Sequence, residues 1–205
     1  FKGKTKDDYA IEAIQSDEKA TEILKEVEKA TPKNSSEVMK IMDEVSLRLK
    51  VASSLQLRDF YNVKDFLRKT LFTSFGTKNE SKTADADSAN LYEDDTFYNY
   101  KVCEIEGTTY EIVGRIDRFE IGDFNQKILV EIKNRTRCLF NTVKEYEAIQ
   151  VQTYLQMVEL NMARLVEQHN NERKSYIIMR DDETWDREII PKLKEFCHVF
   201  HGNLS

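Results

Sequence analysis

Apolar positions change their period twice along this chain, and each change marks a different kind of element. From residue 8 to 30, Tyr9, Ile11, Ile14, Ile23, Leu24 and Val27 recur among charges at helical spacing. The stretch TPKNSSE interrupts them, and Ser35 or Ser36 is placed to cap a second helix. That helix runs to about residue 50, with Val38, Ile41, Met42 and Val45 on its apolar face. A third, rich in Leu and Phe, covers about 56 to 73, with Gly76 expected to close it. The alanines of KNESKTADADSANLYEDD predict a further helix with a thin apolar face.

Period two then takes over. TFYNYKVCEIEG and TTYEIVGRIDRFEIG read as strands, GDFNQ as a turn, and KILVEIKN as a third, half-buried strand. Residues 142 to 166 return to the helical period. KSYIIMR reads as a fourth strand, and DETWDREIIPKLKEFCHVF as a closing helix in which Pro191 sits at a first turn or a kink. Helices, three strands, helix, strand, helix describes an α/β or α+β domain with a mixed sheet flanked by helices.

Within that order, EIK stands out. Strand alternation aims Glu131 and Lys133 at one side while Val130 and Ile132 face the other. Asp117, in GRID, ends the preceding strand, so a tight hairpin brings the Asp117 and Glu131 carboxylates together beside an amine. Like charges raise one another's pKa, which makes a poor structural pair. The same atoms make a good seat for Mg²⁺, a hard cation that takes oxygen ligands and keeps several waters. Lys133 then has work to do: orienting or helping to deprotonate an attacking water, or countering negative charge on a phosphoryl oxygen. Further on, Gln150 and Tyr154 lie four apart on one helical face, where an amide can position water or phosphate.

These residues, in this order, resemble the PD-(D/E)xK nuclease superfamily: Gly114-x-x-Asp117, Glu131-x-Lys133 and Gln150-x-x-x-Tyr154. FGTKNE, AIQVQTYLQM and the ending IIMRDDETWDREIIPKLKEF are similar to its lambda exonuclease-like and RecB-like branch, with the best local match to exonucleases of large DNA viruses. The resemblance spans about 75 to 200. It implies a restriction-endonuclease-like core over 75–205 behind an N-terminal helical region, 1–74. It also implies Mg²⁺, or Mn²⁺ in its place, held by Glu80, Asp117, Glu131 and the Ile132 carbonyl, and a 5′→3′ exonuclease acting on duplex DNA ends in recombination, replication or repair. A ring-shaped trimer around DNA is the family's assembly. LRLKVASS is similar to a segment that holds a 5′-phosphate, which points to Arg48 and Ser54. A structure- or site-specific endonuclease, or an inactive DNA-binding scaffold on the same core, are the alternatives.

Arg135 and Arg137 directly follow the EIK strand and are candidates for phosphate contact, as are Arg58, Lys64 and Arg68 for a DNA groove. A net charge of −6 disfavours a general nucleic-acid binder and makes affinity depend on the metal and on local basic patches. Three scattered cysteines, Cys103, Cys138 and Cys197, fit reduced thiols and rule out a four-cysteine cluster from this chain alone. Cys197, His198 and His201 lack the partners a zinc site needs. The opening FKGKTKDDYA has no apolar signal core, and no apolar run is long enough for a membrane helix, so the expected place is inside the cell, in cytoplasm or nucleus.

Overall fold

A computed structural model describes residues 3–88 and 90–203. The chain forms two compact units. The first comprises residues 1–81 together with the short segments 134–138 and 169–171; the second comprises 82–133, 139–168 and 172–205.

Helices build the first unit: α1 (Lys6–Gln15), α2 (Glu18–Lys29), α3 (Ser35–Ala52) and the greater part of α4 (Leu57–Asp87). Their core includes Ala10, Ile14, Ile23, Val27, Val38, Met42, Leu49, Val63, Leu67, Leu71 and Phe75. Two helices stand where the periodicity suggested one over 8–30, because Asp17 caps α2 by accepting from Ala20 N–H at 2.9 Å. Asp17 also accepts from Ser54 N–H and Oγ–H at 2.7 and 2.8 Å. Burial alone would push its carboxyl up, but these donors outweigh burial and hold it below the ordinary carboxylate range. Asp17→Ala is therefore expected to cost about 2 kcal/mol in urea unfolding. Because the folded pKa is depressed, this contribution is complete above the unfolded value near 3.9 and is lost as pH falls through the folded one. The penalty of the substitution should shrink in acid.

Gly76 does not close a helix. α4 continues through it to Asp87 in the right-handed conformation, and the Gly76 carbonyl accepts from Asn134 Nδ2 at 3.0 Å. A glycine inside a helix costs about 1 kcal/mol against alanine, which the apolar face of α4 outweighs.

The second unit is a mixed α/β layer structure with a central mixed sheet flanked by helices. Its strands are β1 (Leu91–Tyr92), β2 (Phe97–Ile105), β3 (Thr108–Arg115), β4 (Arg118–Ile121), β5 (Lys127–Asn134), β6 (Met162–His169) and β7 (Glu172–Met179). β2 and β3 form an antiparallel ribbon of their own, joined at Glu106–Gly107, both at positive φ. The other five make one sheet in the order β1-β4-β5-β6-β7, with β1–β4 and β4–β5 antiparallel. β5 and β6 are joined through α5 (Glu145–Val158), the crossover that a parallel pair requires. The end of the chain folds as a short turn α6 (Asp182–Thr184), a π-helical turn (Trp185–Ile189) and α7 (Ile190–Gly202), with Pro191 in the first turn of α7. Trp185 packs edge-on against Tyr100 of β2, ring centroids 5.1 Å apart.

Three sequence expectations change here. TTYEIVGRIDRFEIG is two strands in two sheets, with Ile116 and Asp117 at the hand-over. Helix 142–166 ends at Val158, and residues 162–169 form a strand that the periodicity missed. β5 is central rather than half buried: Leu129 packs with Val151 and Leu155 of α5, while Val130 and Ile132 pack with Ala84 of α4 and Val166 of β6. Among the described residues, no helix is long and apolar enough to cross a membrane.

Candidate functional site

Glu131 is 2 % exposed, on the central strand of a sheet covered on both faces. Alternation places it and Lys133 on the face that carries Leu129, against α5. Lys133 Nζ donates to Glu131 Oε1 at 2.5 Å and to Gln150 Oε1 of α5 at 2.9 Å. Gln150 Nε2 in turn donates to the Tyr154 hydroxyl at 3.1 Å, so both ends of its amide are fixed. Burial works against the Lys133 ammonium, but the adjoining Glu131 carboxylate, with Asp117 and Glu147 behind it, outweighs burial and raises its pKa. The lysine is a cation at neutral pH.

Asp117 reaches the same place from the neighbouring strand. The β4–β5 register pairs Arg118 with Val130, so Asp117 stands one step beyond, level with Glu131. β4 has ended there, and the Asp117 carboxylate takes the place of a strand partner: Oδ2 accepts from Ile132 N–H at 2.8 Å. In an extended strand the N–H and C=O of one residue point to the same side, so the Ile132 carbonyl also faces Asp117. Burial pushes the Asp117 carboxyl up, opposed by the Ile132 N–H and by Lys133, Arg118 and Arg115. Arg118, itself buried, donates from Nη1 to the Asp117 carbonyl at 2.5 Å and pairs with Glu93, which fixes the backbone that aims the carboxylate.

Gly114 explains its own place in the motif. A Cβ there would lie 2.6 Å from Tyr154 Cε1 and 3.4 Å from Met157 Sδ, so β3 and α5 approach through the absence of a side chain. Tyr154 packs below the site, and its hydroxyl holds Gln150. Gly114→Ala is expected to displace the Tyr154 ring, to cost about 1–3 kcal/mol by overpacking, and to loosen Gln150. Urea unfolding, together with the loss of a native-like near-ultraviolet tyrosine signal, checks it.

The nearby glutamines are set apart by their contacts. Gln152 bridges the Met179 carbonyl and the Asp181 N–H at 2.8 and 2.9 Å, and Gln156 donates to Asp182. Of the three, Gln150 meets Lys133. The sequence pattern passed over Glu147, which is buried on the same helix face one turn earlier, and Arg118. The signal available for Glu147 was its spacing of three from Gln150. Glu167 of β6, fully buried, accepts from Phe140 and Asn141 N–H and from Tyr176 OH at 2.9, 3.0 and 2.9 Å, which pins the loop between β5 and α5.

The remaining candidates lie in the first unit. Glu80 is on α4, partly exposed. Arg48 pairs with Glu26, and Ser54 donates to Asp17 beside a cavity of about 380 Å³ whose lining includes Glu12 and Asp59. That surrounding is acidic and opposes a phosphate. The Arg135 carbonyl accepts from His169 Nδ1 at 3.1 Å, and Arg137 is exposed. Arg58 lies over the Tyr9 ring, and Arg68 stands 3.8 Å from Asp65. In the second unit, His201 bonds Tyr110 OH at 2.8 Å through Nδ1, and Cys197 is buried with Cys103 beside it.

Among the described residues, no three or more His, Cys, Asp or Glu side chains gather as a metal-holding group. Glu131 meets its charge on Lys133. Asp117 is bonded to the Ile132 N–H, next to Glu131 on β5, and the three offer two carboxylates and a backbone carbonyl. That donor set is all hard oxygen, and Mg²⁺ is ordinarily held by one or two carboxylates with waters and substrate phosphates completing its shell. The residues fit the ion.

No protein-family model matches the chain, and neither does any curated protein. Among solved structures, the crystal structure of SSO0001 is similar, with a TM-score of 0.50 over 80% of this chain and 86% of that one, at 16% identity. At that identity the likeness shows the fold alone.

Proposed function

We propose that this chain is a metal-dependent deoxyribonuclease with a PD-(D/E)xK core, acting as a 5′→3′ exonuclease on duplex DNA ends. The observation that carries the reading is a lysine ammonium held between Glu131 and Gln150 while Asp117, from the next strand, is bonded to the N–H of Ile132, between Glu131 and Lys133. A structural ion pair needs no second carboxylate and no amide. Hydrolysis of a phosphodiester uses each: oxygen ligands for a cation, a proton donor for developing negative charge, and a group that orients the donor.

Asp117, Glu131 and the Ile132 carbonyl would hold the divalent ion. Bound there, the ion supplies positive charge against the scissile phosphate and favours ionisation of water. Lys133 would donate to the attacking water or to the phosphoryl oxygen that gains charge. Gln150 keeps the ammonium aimed, and Tyr154 keeps the amide from turning. The trimer belongs to the same proposal and is read from the chain's mass in solution.

End-labelled linear duplexes, with and without a 5′-phosphate, and a covalently closed circle should be offered in Mg²⁺, Mn²⁺ and EDTA. Stepwise loss from 5′ ends in either metal, none in EDTA and an intact circle is the expected result. Cutting of the circle would make the enzyme an endonuclease. No cleavage of any substrate in either metal would end the nuclease reading.

A further inference from the structure

A bulge in β2 sets the direction of Cys103. Strand alternation alone would aim Tyr100 and Cys103, three residues apart, at opposite sides. The register of β2 on β3 shifts between Lys101 and Cys103, pairing Lys101 with Glu111 and Cys103 with Tyr110. Such a bulge re-aims the side chains that follow it. Tyr100 pairs with Ile112, and residues directly opposite share a face of the ribbon. Tyr100, Cys103 and Tyr110 therefore all stand on the face that carries Ile112.

The end of the chain covers that face. Tyr100 meets Trp185, whose indole N–H donates to its hydroxyl at 3.3 Å. Tyr110 meets α7: its hydroxyl bonds His201 Nδ1 at 2.8 Å, and its ring lies edge-on to Phe200. His201 Nε2 also stands 3.4 Å from Glu106, just past the end of β2. On the strand side, Cys103 lies between Tyr100 and Glu106. On the covering segment, Cys197 lies between Trp185 and His201. It precedes Phe200 and His201 by three and four residues, so it shares their helix face. The two cysteines are thus bracketed by contacts at both ends of one interface. Cys197 is 7 % exposed, and Cys103 is partly exposed. Burial raises the pKa of the Cys197 thiol, and its hydrogen bond with Cys103 raises it further.

Nothing in the proposed reaction uses either thiol. We infer that Cys103 and Cys197 are an oxidisable dithiol, which a low-molecular-weight disulfide converts to an intramolecular bond clasping α7 to β2. The inference is independent of the nuclease reading. Cys103, the accessible thiol, reacts first. Its thiolate attacks one sulfur of the disulfide RSSR, forms the mixed disulfide with SR and expels RS⁻. Burial keeps reagents from Cys197 and leaves it the resolving step. The Cys197 thiol gives its proton to water, attacks the Cys103 sulfur and expels the second RS⁻. Both RS⁻ take up protons, so two cysteine thiols are oxidised and one RSSR is reduced to two RSH.

The test uses the folded full chain carrying Cys138→Ser, because Cys138 is exposed and would react on its own account. It is incubated with oxidised glutathione at neutral pH without urea, quenched with acid, and then unfolded for thiol counting. Both remaining thiols should be lost, with no glutathione retained by mass. A non-reducing peptide map should join the peptides that hold Cys103 and Cys197, and reduction should return both thiols. With Cys103→Ser added, Cys197 should stay free under the same treatment. The oxidised chain should unfold at a higher urea midpoint than the reduced one, because the bond closes a long loop without disturbing the native packing. A chain that keeps both thiols, that stops with glutathione on Cys103 and Cys197 free, or that forms the bond only in urea would overturn the inference. So would an oxidised chain whose midpoint is unchanged or lower, since the native fold would then not hold the pair within reach.

Discussion

Glu131→Gln is expected to lower Mg²⁺-dependent cleavage of duplex DNA about a thousandfold, with the fold intact. The substitution keeps the shape of a side chain packed on the central strand and removes only its charge. Two losses then combine. The oxygen set loses one of its two carboxylates, which weakens its hold on a divalent ion, and Lys133 loses its nearest counter-charge. Asp117 and Glu147 still favour the charged ammonium, so the lysine remains charged and the strand remains folded. The effect should appear in kcat at saturating metal, and circular dichroism should match the unaltered chain. A rate within tenfold of the original would show that this carboxylate does no chemistry.

The largest stability effect is expected at Arg164 on β6. Its Nε and Nη2 donate to Glu120 of β4 at 3.1 and 2.8 Å, and its Nη1 reaches Asp87 at the end of α4. Arg173 of β7 stands 3.7 Å from Asp87 on the other side. Both carboxylates are largely covered, and a buried charge stripped of its partner is costly. Arg164→Met is expected to destabilise the chain by about 3–5 kcal/mol. Adding Glu120→Gln and Asp87→Asn should recover much of that loss, because replacing a whole buried ion cluster costs far less than breaking it. Urea unfolding of the three proteins decides. A loss below about 1 kcal/mol in the single variant would mean that the cluster is solvated and behaves as a surface pair. The consequence reaches the site, because β4 carries the hairpin whose base sets Asp117.

Much of this arrangement was legible in the order of residues. Period two marked β2, β3, β5 and most of β7, and the spacings from Gly114 to Tyr154 named the groups that meet around Lys133. Gly114 shows why such a motif has a glycine: the ring of Tyr154 occupies the space of its Cβ. What was not legible has local causes. β6, MARLVEQH, is rich in good helix formers and holds one β-branched residue, so it read as a continuation of α5. The helix in fact stops at Glu159, which adopts a left-handed φ of 55° without being glycine. Gly76 looked like a stop, but the helix continues because Leu67, Leu71 and Phe75 before it and Ala84 beyond it are buried. Glu147 and Arg118 were silent because charged residues near a helix start or in a strand are usually solvated, and only their burial shows otherwise.

The central claim is that Asp117, Glu131 and the Ile132 carbonyl form a seat for a divalent cation beside a charged lysine. Diffraction from crystals of the chain soaked in Mn²⁺, recorded where manganese scatters anomalously, tests it without relying on any activity. The expected map has a peak at bonding distance from oxygens of both carboxylates, with Lys133 still against Gln150. A map from manganese-saturated crystals with no peak there, or with manganese bound only elsewhere, would contradict the claim.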